Sequence, residues 1–239
     1  MRTRPSRTSR NLPRRRDASW RQFAVLGLLG LLVGADGGSA ASPILLRDVS
    51  ATAGISFQHS DGSSGRRYIV ETVASGLATF DYDGDGWCDA YFLSGRPIPD
   101  RAAGTGPTNG LFRNRGEWQF ADVTAASGLG CARFGLGVAV ADYDEDGFPD
   151  VYVSNFGPNV LFRNNGDGTF SDVTAASRTG GQLPTKVGAG VCFLDVDHDG
   201  DVDLFVADYL TFSVDRHEPQ TFRGLPIYRG PEAYPALPA

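Results

Sequence analysis

Apolar residues fall in short runs along this chain, and polar stretches of fixed length separate them. Leu77–Phe80 and Ala90–Leu93 flank one such stretch, Gly137–Ala141 and Val151–Ser154 a second, and Val191–Leu194 and Leu204–Ala207 a third. Runs of four or five residues rich in Val, Phe, Tyr and Leu, bounded by Gly and Asp, predict β-strands rather than helices. Each pair therefore predicts a hairpin closed over its polar stretch.

The polar stretches are Asp81–Asp89 (DYDGDGWCD), Asp142–Asp150 (DYDEDGFPD) and Asp195–Asp203 (DVDHDGDVD). All three carry Asp at positions 1, 3, 5 and 9 and Gly at position 6. Like charges about 4 Å apart repel by about 4 kcal/mol at an effective dielectric of about 20, so a closed loop of this kind calls for a cation. Oxygen-only ligands on a flexible loop suit Ca²⁺. We expect three such ions, one per loop. The side chains of Asp81, Asp83, Asp85 and Asp89, of Asp142, Asp144, Asp146 and Asp150, and of Asp195, Asp197, Asp199 and Asp203 are the candidate ligands. Position 7 (Trp87, Phe148 and Asp201) would add its backbone carbonyl. An EF-hand is excluded: position 12 is Phe92, Val153 or Val206 rather than Glu, and the flanks read as strands.

A longer unit surrounds the loops. Leu111-Phe-Arg-Asn114 recurs as Leu161-Phe-Arg-Asn164, and Phe120–Ser127 (FADVTAAS) as Phe170–Ser177 (FSDVTAAS), both 50 residues on. Strand, Asp loop, strand, strand, turn, strand is the content of one propeller blade. Asn165-Gly166 marks the hairpin between third and fourth strands. The fold expected is all-β, a partial, open β-propeller of four-stranded blades. Its divisions are residues 41–75 as an N-terminal strand and linker, 76–130 as the first blade, 131–180 as the second, and 181–239 as part of a third with a Pro-rich tail. Ile44–Ser50 resembles the end of a repeat, so a lone strand is expected there, and an irregular tail after Leu210.

These residues resemble the FG-GAP/VCBS repeats of integrin-α-like propellers, with Phe134-Gly135 as the "FG" and Phe156–Pro158 at the "GAP" end. The chain is similar in particular to the secreted branch that carries a C-terminal ASPIC/UnbV domain and includes cartilage acidic protein. Gly54–His59, Glu71-Thr72 and Tyr228–Pro231 carry that likeness. The resemblance implies a calcium-stabilised extracytoplasmic propeller for adhesion or ligand binding, and does not imply catalysis.

Charge and the N-terminus narrow the partners. Eight Arg between Arg2 and Arg21, the apolar run Phe23–Val33 and the small residues Gly38–Ser42 read as a signal peptide over residues 1–40. The run falls short of the roughly 20 residues of a membrane span, so no span is expected in the mature chain; an uncleaved signal anchor is the alternative. Without residues 1–40, 14 basic and 26 acidic residues remain, a formal charge of −12. Nucleic acid is a poor partner for such a surface. The expected partner is an extracellular protein or a glycan, the latter in a lectin-like propeller. A propeller-based hydrolase or lyase is the enzymatic alternative, with His59, Asp61 and Glu71 as its best cluster and no nucleophile beside them. Cys88, Cys131 and Cys192 are odd in number, so at least one is unpaired within the chain.

Overall fold

The computed structural model describes Leu45 and residues 47–98, 107–181 and 183–234. The chain divides into Met1–Leu45, where Leu45 alone is described, and Leu46–Ala239, which holds every element below. The expected signal peptide lies outside the described residues.

Strands β1 (Leu77–Phe80), β2 (Asp89–Phe92), β3 (Gly110–Asn114) and β4 (Phe120–Asp122) form an antiparallel sheet in that order. A second four-strand unit repeats it with β5 (Phe134–Ala141), β6 (Asp150–Phe156), β7 (Val160–Asn164) and β8 (Phe170–Asp172). β9 (Lys186–Leu194) and β10 (Asp203–Thr211) make a third hairpin, joined to β6 at Phe156 and Val187. All three hairpins close in one register: Phe80 faces Asp89, Ala141 faces Asp150, and Leu194 faces Asp203. The predicted strands thus exist, and each Asp loop is the hairpin connection. The architecture is all-β and propeller-like, with few helices.

Side-chain alternation decides how the sheets stack. Tyr91 and Leu111 pair on one face of the first sheet, and Val151, Val153, Val160 and Phe162 on the facing side of the second. They are joined by Phe80, Tyr82, Leu93 and Phe170 in one buried cluster. Phe170 on the fourth strand stacks on Tyr82 with ring centroids 6.3 Å apart. The opposite face of the first sheet receives Phe57, stacked on Phe92 at 5.0 Å and edge-on to Phe112. A second cluster joins Tyr68, Ile69 and Val70 to Phe134, Val187, Leu210 and Phe212. Gly137 on β5 is required there: a Cβ would lie 2.6 Å from the Ala189 carbonyl oxygen on β9.

Two expectations are corrected. The segment expected as a strand to Ser50 instead enters a one-turn helix, α1 (Ser50–Ala53), and α2 (Thr124–Ser127) and α3 (Thr174–Ser177) repeat it. Asp48, Asp122 and Asp172 each accept the amide two residues on, at 2.9, 2.9 and 3.0 Å. That side-chain bond competes with strand pairing and turns the chain. Each turn ends in a left-handed residue, Gly54, Gly128 or Arg178. Ile44 and Leu46 lie outside the described residues. The tail is also more ordered than expected: β11 (Gln220–Phe222) and β12 (Leu225–Ile227) pair as a hairpin turning at Arg223 and Gly224, both at positive φ.

Candidate metal centres

Each Asp loop is organised by its own carboxylates. The position-1 Asp accepts the amide of the position-6 Gly: Gly86 to Asp81 at 2.7 Å, Gly147 to Asp142 at 2.8 Å, Gly200 to Asp195 at 3.1 Å. The position-5 Asp accepts the amide of position 7: Trp87 to Asp85 at 2.9 Å, Phe148 to Asp146 at 3.0 Å, Asp201 to Asp199 at 3.0 Å. Gly86, Gly147 and Gly200 have φ of 89°, 94° and 99°, a region glycine enters without a Cβ penalty.

This folding brings three carboxylates together in every loop. One oxygen each of Asp81, Asp83 and Asp85 lie within 4.8 Å of one another, as do those of Asp142, Asp144 and Asp146 and of Asp195, Asp197 and Asp199. Three triads able to hold a metal ion result. Asp83 Oδ1 and Asp195 Oδ1 are buried with no hydrogen-bond partner among the described residues. Orphaned acceptors in a cluster of like charge fit a cation.

The position-9 Asp stands differently from the other three. Asp89 is fully buried, and its two oxygens accept the amides of Tyr82 at 3.0 Å and Asn114 at 2.7 Å. Asp150 repeats this with Tyr143 at 3.1 Å and Asn164 at 2.7 Å. These carboxylates tie the loop to the third strand. Burial pushes both up to about 6, against the lowering effect of the two amides. Asp203 accepts Val196 at 3.0 Å but is exposed. No described strand lies beside the third loop to cover it as β3 and β7 cover the others.

Arg113 and Arg163 are the residues that sequence reasoning missed. In sequence they are simply the third residues of Leu111-Phe-Arg-Asn114 and Leu161-Phe-Arg-Asn164. The structure instead extends Arg113 Nε to Asp83 at 2.6 Å and Nη2 to Asp85 at 3.0 Å. Arg163 reaches Asp144 at 2.5 Å and Asp146 at 2.8 Å. Alternation puts each Arg on the face of Leu111 or Leu161, opposite Phe and Asn, but does not encode its reach to the loop.

The sequence model of the FG-GAP-like repeat family matches residues 81–153 and again 142–206. Together these matches span more than half of the 239 residues. The chain belongs to the FG-GAP-like repeat family. Each match runs from one Asp loop into the strand after the next, so the family's repeat is the loop-to-loop unit seen in the fold. No match was found among curated proteins.

Other sequence candidates are held locally. His59 Nδ1 lies 3.2 Å from the Leu93 carbonyl, Asp61 accepts Ser63, and buried Glu71 accepts both the amide and hydroxyl of Ser64. Cys88, Cys131 and Cys192 are free thiols. No described helix is long and apolar enough to cross a membrane.

Proposed function

We propose that this chain is a calcium-stabilised, exported FG-GAP-like propeller module that binds a macromolecule, and that it acts by binding rather than catalysis. The observation carrying this reading is the threefold Asp triad, each built on the same backbone bonds and supplying only oxygen. Asp positions 1, 3 and 5 hold Ca²⁺, with position 9 and the position-7 carbonyl completing the set. The ion neutralises carboxylates that otherwise repel, and so fixes the hairpin ends against the neighbouring sheet. Residues 76–130, 131–180 and 181–239 are its successive blades. The likeness to the secreted ASPIC/UnbV-bearing branch, and the Arg-rich and apolar start of the chain, support export.

Calcium titration of metal-free protein by calorimetry tests the reading. We expect about three sites, with Asp142→Ala removing one and Mg²⁺ substituting poorly because it demands a tighter octahedron. Absence of saturable calcium binding would contradict it.

One observation favours glycan as the macromolecule. Trp87 and Trp118 are 52% and 74% exposed and border a cavity of about 390 Å³. Trp118 has φ of 60°, where the second repeat places Gly168. Bulky residues rarely adopt that conformation. Loss of glycan-array binding by Trp118→Ala is the expected outcome.

A further inference from the structure

The tail after β10 builds a cavity that no Asp loop enters. Phe212 is fully buried and anchors the segment, with the Tyr234 ring against it at 5.8 Å. The same segment borders a cavity of about 300 Å³, lined in part by Thr211, Ser213, Arg216, Arg229 and Tyr234.

Its polar groups are donors in search of an acceptor. Arg229 is 82% buried as a side chain, and its Nε is buried without a hydrogen-bond partner among the described residues. The Tyr234 hydroxyl is buried and partnerless in the same way. Among the described lining residues the one carboxylate, Glu218, is 83% exposed and stands 3.6 Å from Arg229 Nη1, too far for a hydrogen bond. Native proteins leave few buried polar groups unpaired, and two on one cavity point to a missing partner. That partner accepts hydrogen bonds and carries negative charge. A second guanidinium, Arg216, lines the same cavity in a chain of net charge −6.

We propose that this cavity binds a carboxylate group on a ligand of monosaccharide size, a uronic acid being the simplest. The Nε and Nη edge of a guanidinium matches two oxygens of one anion, a carboxylate among them, whereas a neutral amide offers a single acceptor and no charge. The Tyr234 hydroxyl supplies a third donor, and burial pushes its phenol up so that it keeps the proton at neutral pH. Thr211 and Ser213 offer hydroxyls to the rest of the sugar. The inference rests on the module being a ligand binder, but it shares no residue with the Asp triads, so either can fail alone.

The test uses glucuronate as the probe, with glucuronamide, glucose and inorganic sulfate as comparisons, followed by ligand-observed NMR in calcium and again in chelator. Saturable binding of glucuronate is expected, with the two neutral sugars weaker by about tenfold or more, as loss of a charge-assisted bidentate contact requires, and with sulfate weaker because it keeps the fork but has no sugar hydroxyls to meet Thr211 and Ser213. Arg229→Lys keeps the charge but loses the fork, and should weaken glucuronate by about tenfold. Tyr234→Phe keeps the ring on Phe212 and removes one donor, for a loss of about threefold to tenfold. Retained circular dichroism of each variant separates a lost site from a lost fold. No saturable glucuronate binding, equal binding of glucuronamide or sulfate, or indifference to Tyr234→Phe would overturn the assignment.

Discussion

The backbone carbonyl of Tyr82, position 2 of the first Asp loop, accepts a hydrogen bond from Asn164 Nδ2 on the second sheet at 2.8 Å. The bond crosses the stacked faces of the two sheets, beside the Tyr82–Phe170 ring contact. A loop shaped by three carboxylates is thereby tied to the next repeat. Whatever orders the loop also orders the stacking.

Asn164 and Asn114 occupy the same place in the two repeats, so they form an internal comparison. Asn164 also donates to Pro149 and accepts Gly166, while Asn114 donates to Cys88 and accepts Gly116, with no cross-sheet bond among the described residues. Asn164→Ala should cost about 2–4 kcal/mol, as buried groups are left unpaired, and Asn114→Ala less by about 1 kcal/mol. Chemical denaturation of both variants measures the difference. Equal losses would show that the cross-sheet bond carries no stability.

Arg163 competes with any cation for Asp144 and Asp146. Its side chain is 42% exposed, so solvent screens the ion pairs and they add little stability to the metal-free protein. Arg163→Gln should therefore barely lower metal-free stability. It should tighten calcium at the second loop by severalfold, because a competing positive charge is gone. Calorimetry against the third loop, where no Arg pairs with the triad among the described residues, reads this directly. Weaker calcium binding would mean that the guanidinium helps to shape the site.

The buried position-9 carboxylates predict a definite pH response. Asp89 and Asp150 stand at about 6 in the fold against an ordinary 3.8. The folded chain then holds protons that the unfolded chain releases. Their contribution to stability is whole below pH 3.8 and is lost as pH rises through about 6. In chelator, carbon-detected NMR should show both carboxyls titrating near 6. Calcium should lower those midpoints, since the ion favours the charged form. Midpoints near 4 in the metal-free protein would contradict the burial argument.

The one-turn helices α2 and α3 share the sequence TAAS, α1 reads SATA, and they leave by different residues. Gly54 and Gly128 take φ of 81° and 80°, but Arg178 is held at 60°. Arg178→Gly should stabilise by up to about 1 kcal/mol, part of it returned through the freer unfolded chain. Gly54→Ala should cost more than Gly128→Ala, because its Cβ would meet the Phe120 carbonyl oxygen at 2.6 Å rather than the Phe170 oxygen at 3.2 Å. Thermal melts of the three variants give the order.

Much of this was legible in the residues. Asp at 1, 3, 5 and 9 between Val- and Phe-rich runs announced hairpins closed by an acidic loop, and the 50-residue recurrence announced two sheets of the same build. What escaped was local competition and lateral reach. Asp-Val-Thr reads as a strand by periodicity, yet the Asp side chain captures an amide and bends the chain into α2 and α3. Asp89 and Asp150 look like their loop neighbours in sequence. Only pairing with β3 and β7 shows that they hold strands as well. Arg113 lies 28 residues from Asp85 and Arg163 17 residues from Asp146, spans that a local pattern does not encode. The tail hairpin turns on two positive-φ residues, one of them Arg223, for which composition gives no cue.

The account rests on the Asp triads holding structural calcium, and thermal unfolding in chelator against millimolar Ca²⁺ tests that most directly. At a hundredfold excess over the dissociation constant each site adds about 2.7 kcal/mol, roughly 5–10 °C in a domain of this size. We expect the melting curve in calcium to lie above that in chelator by at least one such step, and Asp142→Ala to remove part of the gap. Superimposed curves would contradict the account.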